Sequence, residues 1–79
     1  MTFIEAQAEA WRLGFTTFSV TCKGWGTEMR VQWDATRAGI PTKWAGAIDV
    51  APDDVGKYLP MLLDSAVMAM QRWATEQYS

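Results

Sequence analysis

The spacing of apolar residues changes twice along this chain, and that change constrains its fold more than any other feature. Residues 3–13 follow a helical repeat, residues 17–34 mostly alternate apolar with polar side chains, and residues 59–74 return to a helical repeat. A repeat near 3.6 predicts an amphipathic helix, whereas alternation predicts a strand with one buried face. The sequence therefore predicts a helix at each end and a β-sheet between them.

The first helix is predicted to begin at Thr2 and to end at Gly14. Thr2 and Glu5 have the spacing of a capping box, in which each side chain binds the other residue's backbone N–H. Gly14 can adopt the left-handed conformation that ends many helices. The apolar stripe of this helix comprises Phe3, Ile4, Ala8, Ala10, Trp11 and Leu13. We expect this stripe to face the core.

Two strands joined by a hairpin are predicted next, with Gly24-Trp25-Gly26 in the glycine-bearing loop between them. The residues expected on their apolar face are Phe18, Val20, Cys22, Met29, Val31 and Trp33. This placement makes Cys22 a buried and unreactive thiol. A third strand is indicated by Trp44, Ile48 and Val50, and Gly46 is expected to weaken or bulge it.

The final helix has the broadest apolar stripe in the chain. Its members are Leu59, Leu62, Leu63, Ala66, Val67, Met70, Trp73 and Ala74. The run 52–54, Pro-Asp-Asp, favours a helix start, because proline fits the first turn and aspartate favours the positive end of the helix dipole. Pro60 lacks a backbone N–H, so we expect either a short turn followed by a new helix or a kink.

These elements predict one α+β domain spanning residues 1–79, with the order helix, three-stranded antiparallel sheet, helix (αβββα). Two amphipathic helices can bury their stripes by lying on one face of the sheet, which leaves the other face to water. The chain is 49% hydrophobic and 20% charged, which is ordinary globular usage. Its length allows one core.

The residue types needed for catalysis are scarce. The chain has no histidine and a single cysteine, so a general acid–base pair near neutral pH and an internal disulfide are both disfavoured. Asp49, Asp53 and Asp54 could supply oxygen ligands to a cation, but their spacing differs from an EF-hand loop and helix capping explains them. We predict no enzyme activity, no cofactor and no metal site.

The charge balance disfavours direct nucleic-acid binding. Seven basic and nine acidic side chains give a net charge of -2, without the basic excess that phosphate neutralisation requires. No stretch approaches the roughly 18 apolar residues of a membrane span, and the start of the chain does not have the pattern of a secretory signal. We expect a cytoplasmic protein that is a monomer or a weak homodimer.

Five residues are predicted to bind a partner protein. Trp25 lies between two glycines at the hairpin tip, where an exposed indole would be an interface anchor, although it could instead fold back onto the strand. The other four tryptophans fall on inward positions. Glu28 and Arg30 flank the tip on the polar strand face. Met61 and Met68, seven residues apart, lie away from the leucine stripe and form either an adaptable contact face or isolated surface residues.

The element order resembles that of the double-stranded-RNA-binding domain. That resemblance implies a nucleic-acid-binding module, which would contact phosphates through lysines at the start of the last helix. This chain has Pro52-Asp53-Asp54 there, with Lys57 nearby, and Gly24-Trp25-Gly26 in the hairpin loop. Duplex binding is therefore kept as the alternative function.

Size, acidity, lack of histidine and compact layout resemble small phage-encoded anti-CRISPR inhibitors. The features that carry the likeness are the acidic Glu5, Glu9, Glu28 and Asp34 and the aromatic Trp25. The resemblance implies a non-enzymatic protein that sterically blocks a host nucleoprotein effector, with a CRISPR effector subunit as partner. Apolar anchors would supply affinity, and acidic side chains would align the protein to basic residues.

Overall fold

The computed structural model describes residues 1–78, apart from the side chains of Trp25 and Tyr78. Its elements are α1 (Phe3–Arg12), β1 (Thr17–Trp25), β2 (Glu28–Thr36), β3 (Trp44–Val50), a 3-10 turn (Pro52–Asp54) and α2 (Val55–Tyr78). The strands form one antiparallel sheet in the order β1-β2-β3. Both helices pack on the same face of that sheet and on each other, so the predicted αβββα fold is confirmed.

The hairpin between β1 and β2 closes through a two-residue loop. Trp25 pairs with Glu28, which leaves Gly26 and Thr27 as the turn. Gly26, the first turn residue, has a φ of 65°, whereas Thr27, the second, does not have a positive φ. A type II′ turn requires this combination. This turn fixes the register in which β1 presents Phe18 to the helices.

One apolar cluster lies between the sheet and the helices. Alternation along β2 buries Val31 and Trp33, as predicted, and also Ala35. Trp44 on β3 makes edge contacts with Phe15 and with Trp73, at centroid distances of 6.0 and 6.4 Å. The α2 side chains buried in this cluster are Val55, Leu59, Leu62, Leu63 and Ala66. The final helix therefore supplies much of the core.

The expected bulge of β3 at Gly46 is wrong. The β2–β3 register is continuous, and Gly46 lies opposite Trp33. A Cβ atom at residue 46 would lie 2.7 Å from Trp33 Nε1 and 2.9 Å from Trp33 Cε2. Glycine is needed here because the indole of Trp33 occupies the space in which a side chain would lie.

The predicted inward face of α1 is wrong for Phe3, Ile4, Ala8 and Trp11, and right for Ala10 and Leu13. The helix buries Ala6 and Ala10, whereas Ile4 is 80% and Trp11 is 63% exposed. Its C-terminal motif gives the reason: Gly14 N–H donates to the Trp11 carbonyl (3.1 Å) and Phe15 N–H to the Ala10 carbonyl (3.0 Å). In this Schellman motif the residue after the glycine packs on the helix three residues before its cap. Buried Phe15 therefore turns Ala10 inward and Ile4 outward.

Two further expectations are corrected. Helix α2 is continuous from Val55 to Tyr78, so the predicted short turn followed by a new helix is wrong; Pro60 lies inside α2 and forfeits only the hydrogen bond to the Gly56 carbonyl. Cys22 is exposed, although it alternates with buried Phe18. Helix α1 is about 15 Å long and lies against the start of β1, a strand about 30 Å long, so it does not reach Cys22. Within the described residues, no helix is long and apolar enough to cross a bilayer.

Candidate protein-binding site

The five predicted partner-binding residues do not form one surface. Glu28 and Arg30 point to the sheet face that the helices leave uncovered, whereas Met61 and Met68 lie on the outer side of α2. The sheet separates the two groups. The backbone of Trp25 ends β1 opposite Glu28, and its side chain lies outside the described residues, so its role as an anchor stays a prediction.

Arg30 is held within the uncovered sheet face. Its Nε atom lies 3.0 Å from Oδ1 of Asp49 on the neighbouring strand. This hydrogen bond and the opposite charge lower the pKa of Asp49 and raise the pKa of Arg30. Both side chains remain about half exposed, so solvent screens the pair. Arg30 is therefore partly neutralised by its own sheet before any partner arrives.

Two further polar pairs lie on this sheet face. Lys43 Nζ lies 3.8 Å from Asp34 Oδ2, and the Thr17 and Thr36 hydroxyls are 2.6 Å apart. An open cavity of about 470 Å³ adjoins the Lys43–Asp34 pair and is lined mainly by short or polar side chains of β2 and β3. Among its described side chains, this surface lacks the large exposed apolar anchor that dominates binding energy at protein interfaces.

The aspartates considered as cation ligands do not form a metal site. Asp49 is paired with Arg30, and Asp53 and Asp54 belong to the 3-10 turn before α2. Among the described residues, no group of three histidine, cysteine or carboxylate side chains is arranged to hold a metal ion. Asp53 and Asp54 form no side-chain cap hydrogen bond, so the predicted capping is not seen, and they lie only near the positive end of the helix dipole.

Met61 and Met68 lie on the outer side of α2 with exposed Asp64 and Ser65 between them; the two methionines are here called the methionine face. Met61 is 43% and Met68 is 62% exposed, while Leu62 and Leu63 on the opposite side are buried. Seven residues make nearly two helical turns, so both thioethers lie on the same side of the helix. The helical repeat in the sequence placed them correctly on the side opposite the leucines.

A groove between the two helices adjoins the methionine face. It has a volume of about 340 Å³ and is lined by Met1, Glu9, Arg12, Leu13, Pro60, Leu63, Asp64 and Val67. Its walls are largely apolar, and charged groups lie along the rim. Asp64 stands three residues after Met61 and four before Met68, so the groove continues onto the methionine face.

The charges on the α1 rim of the groove are paired with each other. Arg12 donates to both carboxylate oxygens of Glu9, and the Nε–Oε2 distance is 2.9 Å. This contact lowers the pKa of Glu9 and raises the pKa of Arg12. The rim therefore carries oriented charges with no large excess of either sign.

A second apolar surface was missed by the sequence reasoning. Ile4, Ala8 and Trp11 share the outer side of α1, and Phe3 (46% exposed) borders them. We call these four residues the α1 stripe. The signal that could have located it is Gly14: a glycine that ends the helix predicts contact between Phe15 and Ala10, which places Ile4 and Trp11 outside.

Comparison with known proteins found no relative. No protein-family model, curated protein or solved structure matches the chain.

Proposed function

We propose that this protein is a non-enzymatic protein-binding domain that holds an apolar segment of a partner in the interhelical groove and on the methionine face. The observation that supports this proposal is the position of exposed Met61 and Met68 beside a groove of about 340 Å³ with largely apolar walls. Apolar anchors in such concave sites provide most of the binding energy at protein interfaces.

The shape and chemistry of the surface favour an amphipathic helix or a loop with apolar side chains. A groove between two helices can take the apolar side of a third helix. Methionine side chains are unbranched and polarizable, so they adapt to the shape of the partner. The Glu9–Arg12 pair and Asp64 on the rim would orient the bound segment through its polar side.

The biological role that we propose is inhibition of a host nucleoprotein effector of the CRISPR type. It is supported by the resemblance in size, acidity and layout to phage-encoded anti-CRISPR proteins. Proteins that hold nucleic acid present basic surfaces, and acidic side chains such as Glu5 and Asp64 would align this domain to them. The inhibitor would then cover the effector sterically, without chemistry of its own.

Binding to a panel of purified CRISPR effectors tests this proposal. The double variant Met61→Ser/Met68→Ser should weaken binding at least tenfold, because removing interface anchors typically costs more than about 1 kcal/mol. Gln71→Ser, a change at an exposed position of the same helix, is the matched control and should bind like wild type. Binding by the double variant that equals wild type would refute the site, and no binding to any effector would refute the role.

Duplex RNA binding has no comparable support in the structure. The turn that leads into α2 carries Asp53 and Asp54. Lys57, in the first turn of α2, is the one basic residue between positions 52 and 60. Phosphate groups would meet negative charge at the site where this class of module needs positive charge. Salt-dependent binding of duplex at low ionic strength would reverse this assessment.

A further inference from the structure

The α1 stripe is an unpartnered apolar surface that lies apart from the groove. Trp11 and Leu13 are roughly 160° apart around the helix axis, so the stripe and the groove are on different sides of α1. Trp11 also borders a concavity of about 230 Å³ formed with Gln7 and the first residues of β1. We propose that a second copy of this chain covers the stripe, which makes the protein a weak two-fold homodimer.

The amount of exposed apolar surface supports an interface here. Phe3, Ile4 and Trp11 together expose on the order of 400 Å², which is the size of the largest apolar patch on a typical monomer. The accessible surface of the chain is 5332 Å². A monomer of 8.9 kDa is expected to expose about 4,800 Å². The chain therefore exposes more surface than an average monomer of its mass.

The stripe is complementary to itself. Along α1 it reads large, small, large, with Ile4 and Trp11 on either side of Ala8. When a second α1 lies antiparallel, each Ile4 meets the Trp11 of the other copy and the two Ala8 methyl groups meet at the axis. Alanine at that position allows the close helix approach of about 8 Å. The stripe of a second copy therefore has the shape needed to cover the stripe of the first.

Charges beside the stripe also match in this arrangement. Glu5 near the start of α1 and Arg12 near its end lie on the same side of the stripe. Arg12 already bonds Glu9 within its own helix. An antiparallel pair brings the Glu5 of the other copy next to this guanidinium, whose five N–H donors can serve both carboxylates. The helix dipoles also run in opposite directions, which is favourable.

The expected affinity follows from the area. About 400 Å² of apolar surface per copy is half of the roughly 800 Å² that each partner buries in a standard interface. We therefore expect a dissociation constant on the order of 100 µM. This inference does not rest on the proposed function, because the apolar walls of the groove and the methionine face lie outside the dimer contact, and only Arg12 on the groove rim borders it.

Sedimentation equilibrium tests the dimer. Between about 5 µM and about 1 mM the average mass should rise from monomer toward dimer. Ile4→Ser and Trp11→Ser should each weaken association at least tenfold, whereas Met68→Ser, which is the matched change on α2, should leave it unaltered. A chain that stays monomeric at about 1 mM, or variants that associate like wild type, would overturn the inference.

Crosslinking tests the position of the two-fold axis. In a Cys22→Ser background, Ala8→Cys should form a disulfide-linked dimer with added glutathione disulfide, because the two residues meet at the axis. Ser65→Cys, which is exposed on α2, is the control and should crosslink at least tenfold more slowly. Equal rates for the two cysteines would show that α1 does not form the interface, even if a dimer exists.

Discussion

The two helices use their apolar residues in opposite ways. Helix α2 buries its large side chains, such as Leu59 and Leu62, and exposes two methionines on its outer side. Helix α1 buries only Ala6 and Ala10 and exposes its large residues. The small side chains bring α1 close to the sheet, but they contribute little buried area. The core therefore depends mainly on α2, while the largest apolar groups of α1 remain available for contacts outside the chain.

The largest expected difference in the free energy of unfolding is between two variants that each lose three carbons, one on each helix. Leu62→Ala removes a fully buried side chain and should lower the free energy of unfolding by about 3 kcal/mol. Ile4→Ala, measured by urea unfolding in the same dilute solution, should change it by less than about 0.5 kcal/mol. Equal losses in the two variants would contradict the division of roles between the helices.

A larger side chain should affect stability differently on the two sides of α1. Ala10→Leu places three carbons where the side chain is fully buried and should destabilise the fold by about 2 kcal/mol. Ala8→Leu adds the same atoms on the exposed side and should change stability by less than about 0.5 kcal/mol. Thermal unfolding of both variants at low concentration would measure the difference, and a costly Ala8→Leu would show that the outer side is packed.

The helices should also respond differently to the loss of a threonine hydroxyl. Thr2 Oγ1 accepts from the Glu5 N–H at 3.1 Å in the α1 capping box. Thr2→Ala should therefore cost about 1 kcal/mol. Thr75 donates its hydroxyl to the Gln71 carbonyl within α2, and Thr75→Ala should be neutral or stabilising by up to about 0.5 kcal/mol. Similar losses in urea unfolding would refute the contrast.

The smallest expected effect is a pH dependence at the start of α1. Hydrogen bonds from the Thr2 backbone, and then contact with its side chain, lower the pKa of Glu5. A carboxylate with a lowered pKa in the folded state stabilises the fold above its ordinary pKa, and this contribution is lost as pH falls through the lowered value. The stability difference between wild type and Glu5→Gln should therefore narrow in acid. A difference that widens would contradict the capping role.

Periodicity alone was enough to predict the order of elements and the buried side of α2. The leucine stripe there has no competitor, and strand alternation placed Val31 and Trp33 inward, as the structure confirms. It failed on α1 because that short helix carries two apolar stripes, one with alanines and one with Ile4 and Trp11. Periodicity finds stripes but does not choose between them, and the contact of Phe15 with Ala10 makes the choice.

The candidate site was predictable only in part. The helical repeat located Met61 and Met68 outside the core, but the groove beside them requires two helices to meet, which no local pattern encodes. Glu28 and Arg30 were grouped with the methionines because each set lies on the predicted solvent-facing side of its own strand or helix. Only the three-dimensional fold shows that the sheet separates them, and that Arg30 is already paired with Asp49.

The left-handed turn at Gly14 has a consequence for how such a surface could evolve. Its φ of 101° makes any other residue strained, and a side chain there would lie 3.3 Å from the Arg37 guanidinium. This turn allows Phe15 to pack on Ala10, and that contact sets which side of α1 faces the solvent. A single mutation after the end of the helix could therefore change which α1 side chains are exposed to solvent, with no change in the sequence of the helix itself.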